Sequence, residues 1–116
     1  MDTCILNGSN LTLDILYDIA YCSRKVEIAP EAYARLAQGR EIMSELSRGG
    51  KAIYGFNRGV GWNKDQNIDE DFFAVQNRKI VRSHCLGTPP YHSDVEVRAM
   101  MAIRLNQMLI GASCAS

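Results

Sequence analysis

The sequence has no net charge. Lys and Arg total 13, Asp and Glu total 13, and the formal charge is zero. That balance leaves no basic footprint for nucleic acid or an anionic membrane, so neither is expected as a partner. Paired cysteines are also missing. Cys4, Cys22, Cys85 and Cys114 form no CxxC and no spacing typical of zinc sites, so no metal is expected. Reduced thiols in a cytoplasmic protein are the simplest reading. The start, MDTCILNGSN, lacks a basic segment followed by a long apolar run, so no signal peptide is expected. The most apolar stretch, 99–112, is interrupted by Arg104, Asn106 and Gln107 and is too short and too polar to span a bilayer. Internal repeats and low-complexity segments are absent. No glycine cluster runs into Gly-Lys-Ser or Gly-Lys-Thr, and no G-x-S-x-G occurs, which removes a P-loop and a nucleophile elbow.

What is present is ordinary in bulk. Hydrophobic residues make up 47% and charged residues 22%, as in soluble globular chains, and 116 residues suit one domain with a modest core. Cys4 to Leu6 reads as a short strand, followed by a turn at Asn7-Gly8. Thr12 is the expected N-cap of a first helix, with Asp14 in its first turn and Leu11 and Leu16 placed as a hydrophobic staple; this helix ends near Cys22. Lys25 to Ile28 alternates polar and apolar and reads as a brief strand. Pro30 suits the first position of a second helix whose apolar face is Ala32, Leu36, Met43 and Leu46, with Gly39 an oddity inside it and Gly49-Gly50 closing it. Residues 51–55 read as a short strand. A third helix is expected from Asp69, with Glu70 and Asp71 in its first turn, towards His84 and stopping before Gly87. Ser93-Asp94-Val95-Glu96 is a capping-box signature for a fourth helix, with an apolar stripe over Val97, Met100, Met101, Leu105 and Met108. Arg104 lies inside that stripe and either snorkels or pairs with a carboxylate elsewhere. The fold class is therefore mainly α with a few short β-strands, α+β.

The stretch around which the rest is arranged is Tyr54-Gly55-Phe56-Asn57-Arg58-Gly59-Val60-Gly61. Glycines at this density prescribe an irregular loop, and the loop presents a phenol and a guanidinium. A mobile turn between helices would explain the same composition. The carboxylates Asp69, Glu70 and Asp71 are accounted for by a helix N-terminus. His84 falls on the helical face of Phe73 and Ile80, where a histidine is more often a satisfied core residue than a ligand. His92, beside Pro89-Pro90-Tyr91, reads as a loop residue.

The order of features narrows the choice. Leu11-Thr12-Leu13, Val26-Glu27-Ile28-Ala29-Pro30, Tyr54-Gly55-Phe56-Asn57 with Gly59 and Gly61, Ser83-His84, and Val97-Arg98-Ala99-Met100-Met101 follow one another. This series resembles the N-terminal part of the histidine and aromatic amino acid ammonia-lyase family, over nearly the whole chain. The resemblance implies that 1–116 is a single N-terminal domain of a larger, mostly helical lyase fold, with a glycine-rich catalytic loop at 54–67. It implies elimination of ammonia from histidine or another aromatic amino acid to give an arylacrylate such as urocanate. Tyr54 would be the catalytic base on the substrate β-carbon, His84 and Asn57 would bind substrate, and Gly55, Gly59 and Gly61 would shape the loop. A free phenol titrates near ~10, so a base of this kind needs a positive field, and a glycine-hinged loop is suited to closing over a site.

The resemblance further implies a methylidene-imidazolone electrophile, cytoplasmic amino acid catabolism, and a homotetramer whose active sites combine several subunits. Two departures stand out. Arg58 occupies the position where the family usually has threonine, and the Ala-Ser-Gly triplet that cyclises to the electrophile is absent from these 116 residues. The chain is thus expected to be an N-terminal piece or the small subunit of a split enzyme, inactive alone and partnered by the remainder of the lyase. The other function class is a non-catalytic assembly or regulatory module that keeps the lyase N-terminal fold.

Overall fold

The computed structural model describes residues 2–114, so the expected span 1–116 includes three residues outside the description. The architecture is mostly helical. Strand β1 (Cys4–Leu6) precedes helix α1 (Leu13–Tyr21), strand β2 (Val26–Ile28), α2 (Pro30–Arg48), α3 (Phe73–Ser83) and α4 (Asp94–Met108), with two single-turn 3-10 segments at Gly61–Asn63 and Glu70–Phe72. Packing divides the chain into two compact units. One comprises Met1–Met43 and His92–Ser116, the other Ser44–Tyr91.

In the first unit β1 and β2 pair in parallel, Cys4 opposite Val26 and Leu6 opposite Ile28. Parallel neighbours need a crossover, and α1 provides it. Thr12 caps α1 as expected, its hydroxyl accepting from the Ile15 N–H at 3.3 Å, a cap worth about 1 kcal/mol. Pro30 opens α2, where its missing N–H costs nothing. The core gathers Cys4, Leu6, Ala29, Ala32 and Leu109, flanked by Leu11, Ile15, Leu36 and Leu105. Leu6 and Leu109 are fully buried, each contributing about 1.5–3 kcal/mol by removal from water. Helices α1 and α4 pack together, with Ile19, Ala20 and Ala102 buried.

That packing corrects the expected face of α4. Met100 and Met101 are exposed, and Val97 is 39% exposed. The inward residues are Ala102 and Leu109, with Ala99, Leu105 and Met108 half-buried. Towards α1 the helix presents Ala102, and it leaves Met100 and Met101 outside. Arg104 is exposed and pairs with no carboxylate among the described residues; its guanidinium reaches Gln107 on the same helix at 3.5 Å. Gly39 has a packing reason. A Cβ there would stand 3.0 Å from the Gly111 carbonyl oxygen, a tight contact, so glycine lets that backbone approach without displacement. Leu46, expected on the buried face of α2, is 42% exposed.

In the second unit α2 ends at Arg48, and Gly50 follows with φ of +86°, a backbone that glycine adopts freely. Residues 51–55 are not a strand. The Asn57 side chain accepts the Ile53 N–H and donates to the Lys51 carbonyl, taking the groups a ladder partner would need. The third helix begins as a 3-10 turn at Glu70–Phe72 and becomes α-helical at Phe73. No helix among the described residues is long and apolar enough to cross a membrane.

Candidate functional site

The glycine loop is a closed, ordered loop. Its base is fastened where Arg58 and Asn67 form an antiparallel bridge, with the Gly59 N–H donating to the Gln66 carbonyl at 3.1 Å and the Ile68 N–H to the Asn57 carbonyl at 3.0 Å. Its tip is the turn Gly61–Asn63, where Trp62 is completely exposed. Phe56 packs on Phe73 of α3 with ring centroids 4.8 Å apart, a contact worth about 0.5–1.5 kcal/mol beyond burial. A segment whose ends meet and whose interior bonds to itself is a compact Ω-type loop, a form often used for function.

The three glycines have different tasks. Gly59 is irreplaceable on space alone, since a Cβ there would lie 2.2 Å from the Asn63 carbonyl oxygen. Gly55 and Gly61 adopt φ of +72° and +58°, where other residues are strained. Gly61 uses that geometry to aim its N–H at the Tyr54 hydroxyl oxygen, 3.0 Å away. Tyr54 is 67% exposed, so its ring is available to a neighbour while its oxygen is held. The oxygen accepts this bond, which leaves the phenolic proton and a second lone pair for chemistry.

Asn57 is the one buried polar residue among those described, 7% exposed. Its Oδ1 accepts the Ile53 N–H at 2.8 Å, and its Nδ2 donates to the Lys51 carbonyl at 2.8 Å and to Ser47 Oγ at 2.9 Å. Both amide hydrogens are spent inside the protein, which makes Asn57 an organiser of the loop in this structure. Arg58 is half-buried and turns back, its Nη1 donating to the Asn57 carbonyl at 3.0 Å. Ser47, Asn57, Arg58, Asn67, Asp69 and Glu70 line much of a polar cavity of about 290 Å³. Tyr54 and His84 are not among its lining residues. Sequence reasoning missed Ser47, which reads as solvated helix surface and lies ten residues from its partner.

His84 is not a core residue. It is exposed and caps the C-terminus of α3. Its Nδ1 lies 2.8 Å from the Ile80 carbonyl. A carbonyl only accepts, so Nδ1 carries the hydrogen and Nε2 is the nitrogen left to meet another group. The Ser83 hydroxyl, 3.1 Å from Nδ1, also points to that carbonyl at 3.0 Å. No hydrogen bond or ion pair joins His84 to Tyr54 among the described residues. Nor does any group of three or more His, Cys, Asp or Glu among them stand ready for a metal ion. His92, exposed just before α4, sits 3.6 Å from the Glu96 carboxylate.

Comparison with known proteins fits this arrangement. Residues 11–116 match the family model of aromatic amino acid lyases. Histidine ammonia-lyase of Macrococcus caseolyticus is 34% identical over 110 residues, which is 94% of this chain and 22% of that enzyme. The histidine ammonia-lyase of Sorangium cellulosum is 37% identical over 113 residues, again 22% of its length. Among solved structures, the ergothioneine-degrading enzyme ergothionase of Treponema denticola superposes with a TM-score of 0.89 at 49% identity, over 95% of this chain and 22% of that one. Tyrosine aminomutase of Streptomyces globisporus superposes with a TM-score of 0.87 at 27% identity, covering 97% and 22%. The chain thus spans about one fifth of the length of these relatives. With a match running from Leu11 to the last residue, and with the tyrosine-bearing glycine loop folded as described, this chain belongs to the aromatic amino acid lyase family.

Proposed function

We propose that this chain is the N-terminal, base-supplying part of an enzyme that eliminates the amine from a histidine-type amino acid. The observation that carries the reading is the Tyr54 oxygen, presented on an ordered glycine loop and oriented by the Gly61 N–H. In the reaction Tyr54 takes a proton from the substrate β-carbon. The electrons of that C–H bond become the Cα–Cβ double bond, and those of the Cα–N bond leave with the amine. His84 faces the substrate side chain through Nε2, its ring orientation set by the Nδ1–H bond to Ile80. Asn57 serves the site by holding the loop.

The methylidene-imidazolone of the family makes an amine a better leaving group. Its Ala-Ser-Gly source does not occur in these 116 residues, so none of them builds it. The rest of the lyase supplies that group and the remaining walls of the site, in an oligomeric assembly. The isolated chain is accordingly expected to release no ammonia from histidine, tyrosine or phenylalanine, and steady release above a blank would refute this.

A second reading concerns the leaving amine. Identity to the ergothioneine-degrading enzyme is 49%, against 34% and 37% to the two histidine ammonia-lyases. Ergothioneine carries a quaternary trimethylammonium where histidine carries a primary amine. The same proton abstraction by Tyr54 would expel neutral trimethylamine, and a quaternary nitrogen has no lone pair with which to add to an electrophile. Supplying histidine and ergothioneine separately to the complete active enzyme containing this chain, and assaying ammonia and trimethylamine, separates the two substrates. Tyr54→Phe should abolish either turnover while leaving the melting temperature nearly unchanged, and His84→Ala should alter substrate preference more than rate. Near-normal turnover by Tyr54→Phe would return the loop to a structural role and favour the assembly-module reading.

A further inference from the structure

We infer that Ser47, in the last turn of α2, is a positioning residue for Tyr54 and acts through Asn57. The inference rests on the reading of Tyr54 as the base. The chain of contacts is short. Ser47 Oγ accepts from Asn57 Nδ2 at 2.9 Å. The same amide holds the Lys51 carbonyl and the Ile53 N–H, both at 2.8 Å. Ile53 is the residue before Tyr54, so its placement sets where the tyrosine leaves the backbone. On the other side of Asn57 the chain runs four residues to Gly61, whose N–H holds the phenolic oxygen. Asn57 therefore stands between the two segments that fix the two ends of the Tyr54 side chain.

An amide is planar, and its plane is set by the directions of its partners. With three bonds the Asn57 amide has one orientation. Without Ser47 it keeps two partners, at residues 51 and 53 of the same short segment, and both can move with it. Ser47 is the partner that belongs to a regular helix, and it ties the amide to a rigid element. Sites held from helices are placed more sharply than sites held from loops. Burial adds weight, because Asn57 is only 7% exposed and takes its hydrogen bonds from the protein groups around it.

The test uses the complete active enzyme and the pair Ser47→Thr and Ser47→Val, which match in shape and differ in the hydroxyl. Ser47→Thr should retain kcat. Ser47→Val should lower kcat by about tenfold to a hundredfold, the scale of a reacting group displaced by a fraction of an ångström to one ångström. KM should change by less than about threefold, because the loss lies in placing the base and not in uniform substrate binding. Ser47→Ala, with kcat corrected for the folded fraction from thermal melts, guards against misfolding of the valine variant. Equal kcat for Ser47→Thr and Ser47→Val would overturn the inference, as would a loss in both Ser47→Val and Ser47→Ala that disappears once scaled to folded protein. Tyr54→Phe run alongside keeps the two readings apart. If it is inactive while Ser47→Val matches the parent, the positioning role alone fails; if it is active, the role of the base fails first.

Discussion

The backbone N–H of Gly61 donates to the phenolic oxygen of Tyr54 at 3.0 Å, so the loop holds both ends of its own tyrosine. The bond depends on glycine geometry at two positions that fail for different reasons, and this gives a graded prediction. Gly59→Ala places a methyl 2.2 Å from the Asn63 carbonyl oxygen, and backbone has to move. Overpacking of that kind costs about 1–3 kcal/mol and here would fall on the loop base. Gly61→Ala meets no atom within 4 Å and pays only for its φ of +58°, about 1–2 kcal/mol. Both should lower turnover of the complete enzyme, Gly59→Ala more. Hydrogen exchange should show faster amides across 54–67 in Gly59→Ala. Equal activity of the two variants would contradict the assignment.

Features declared by neighbouring residues were legible in the sequence. Thr12, Pro30 and the Ser93–Glu96 box each fix a helix start through residues within one turn, and all three stand where expected. What could not be read depends on side-chain partners that no short sequence pattern announces. Residues 51–55 have strand-like composition, but Asn57 claims their backbone groups. The stripe on α4 is apolar in sequence, yet packing with α1 selects Ala102 and leaves Met100 and Met101 outside. His84 has the spacing of a core face, but it falls one residue past the end of α3 and caps it. At the candidate site the tyrosine and the glycines were visible by type, whereas the Ser47 contact was not.

The capping box of α4 carries a pH dependence. The Ser93 backbone N–H donates to the Glu96 carboxylate at 2.7 Å and the Ser93 hydroxyl at 2.8 Å, and His92 lies beside it. The Ser93 backbone bond, then its hydroxyl, then the charge of His92 hold the Glu96 carboxyl below its usual range. A depressed folded value means the stabilisation is complete above the unfolded carboxylate range and is lost as pH falls through the folded value. Amides in the first turn of α4 should therefore lose protection, measured against their intrinsic exchange rate at each pH, as the pH falls below the ordinary glutamate range. Glu96→Gln keeps the reach and does not titrate, so its first turn should show no such acid transition.

Trp62 is the chain's single tryptophan and is completely exposed at the loop tip. Intrinsic tryptophan fluorescence is therefore a reporter of the glycine loop. The isolated chain should emit as a water-exposed indole and be readily quenched by iodide or acrylamide. In the complete enzyme, with any tryptophans outside this chain replaced, substrate that draws the loop closed should shift the emission to shorter wavelength and reduce quenching. A blue-shifted, quencher-resistant emission from the isolated chain would mean that the loop tip is covered.

The last expectation concerns association. On α4 and just after it, Met100 is 47% exposed, Met101 67%, Ile103 42% and Ile110 58%. On α1, Tyr17 and Tyr21 stack with centroids 4.6 Å apart and are also largely exposed. Single exposed apolar residues are ordinary, but several on neighbouring turns amount to the kind of surface that marks an interface. The isolated chain should therefore form an oligomer, or a complex with the rest of the lyase, and not remain a stable monomer of 12.9 kDa. Light scattering over a concentration series measures this. Met101→Lys and Ile103→Lys point charges outward from residues that are already exposed, so they should lower the mass without lowering the melting temperature. A folded monomer of constant mass at high concentration would show that these side chains are tolerated in water, and the interface reading of α4 would fall.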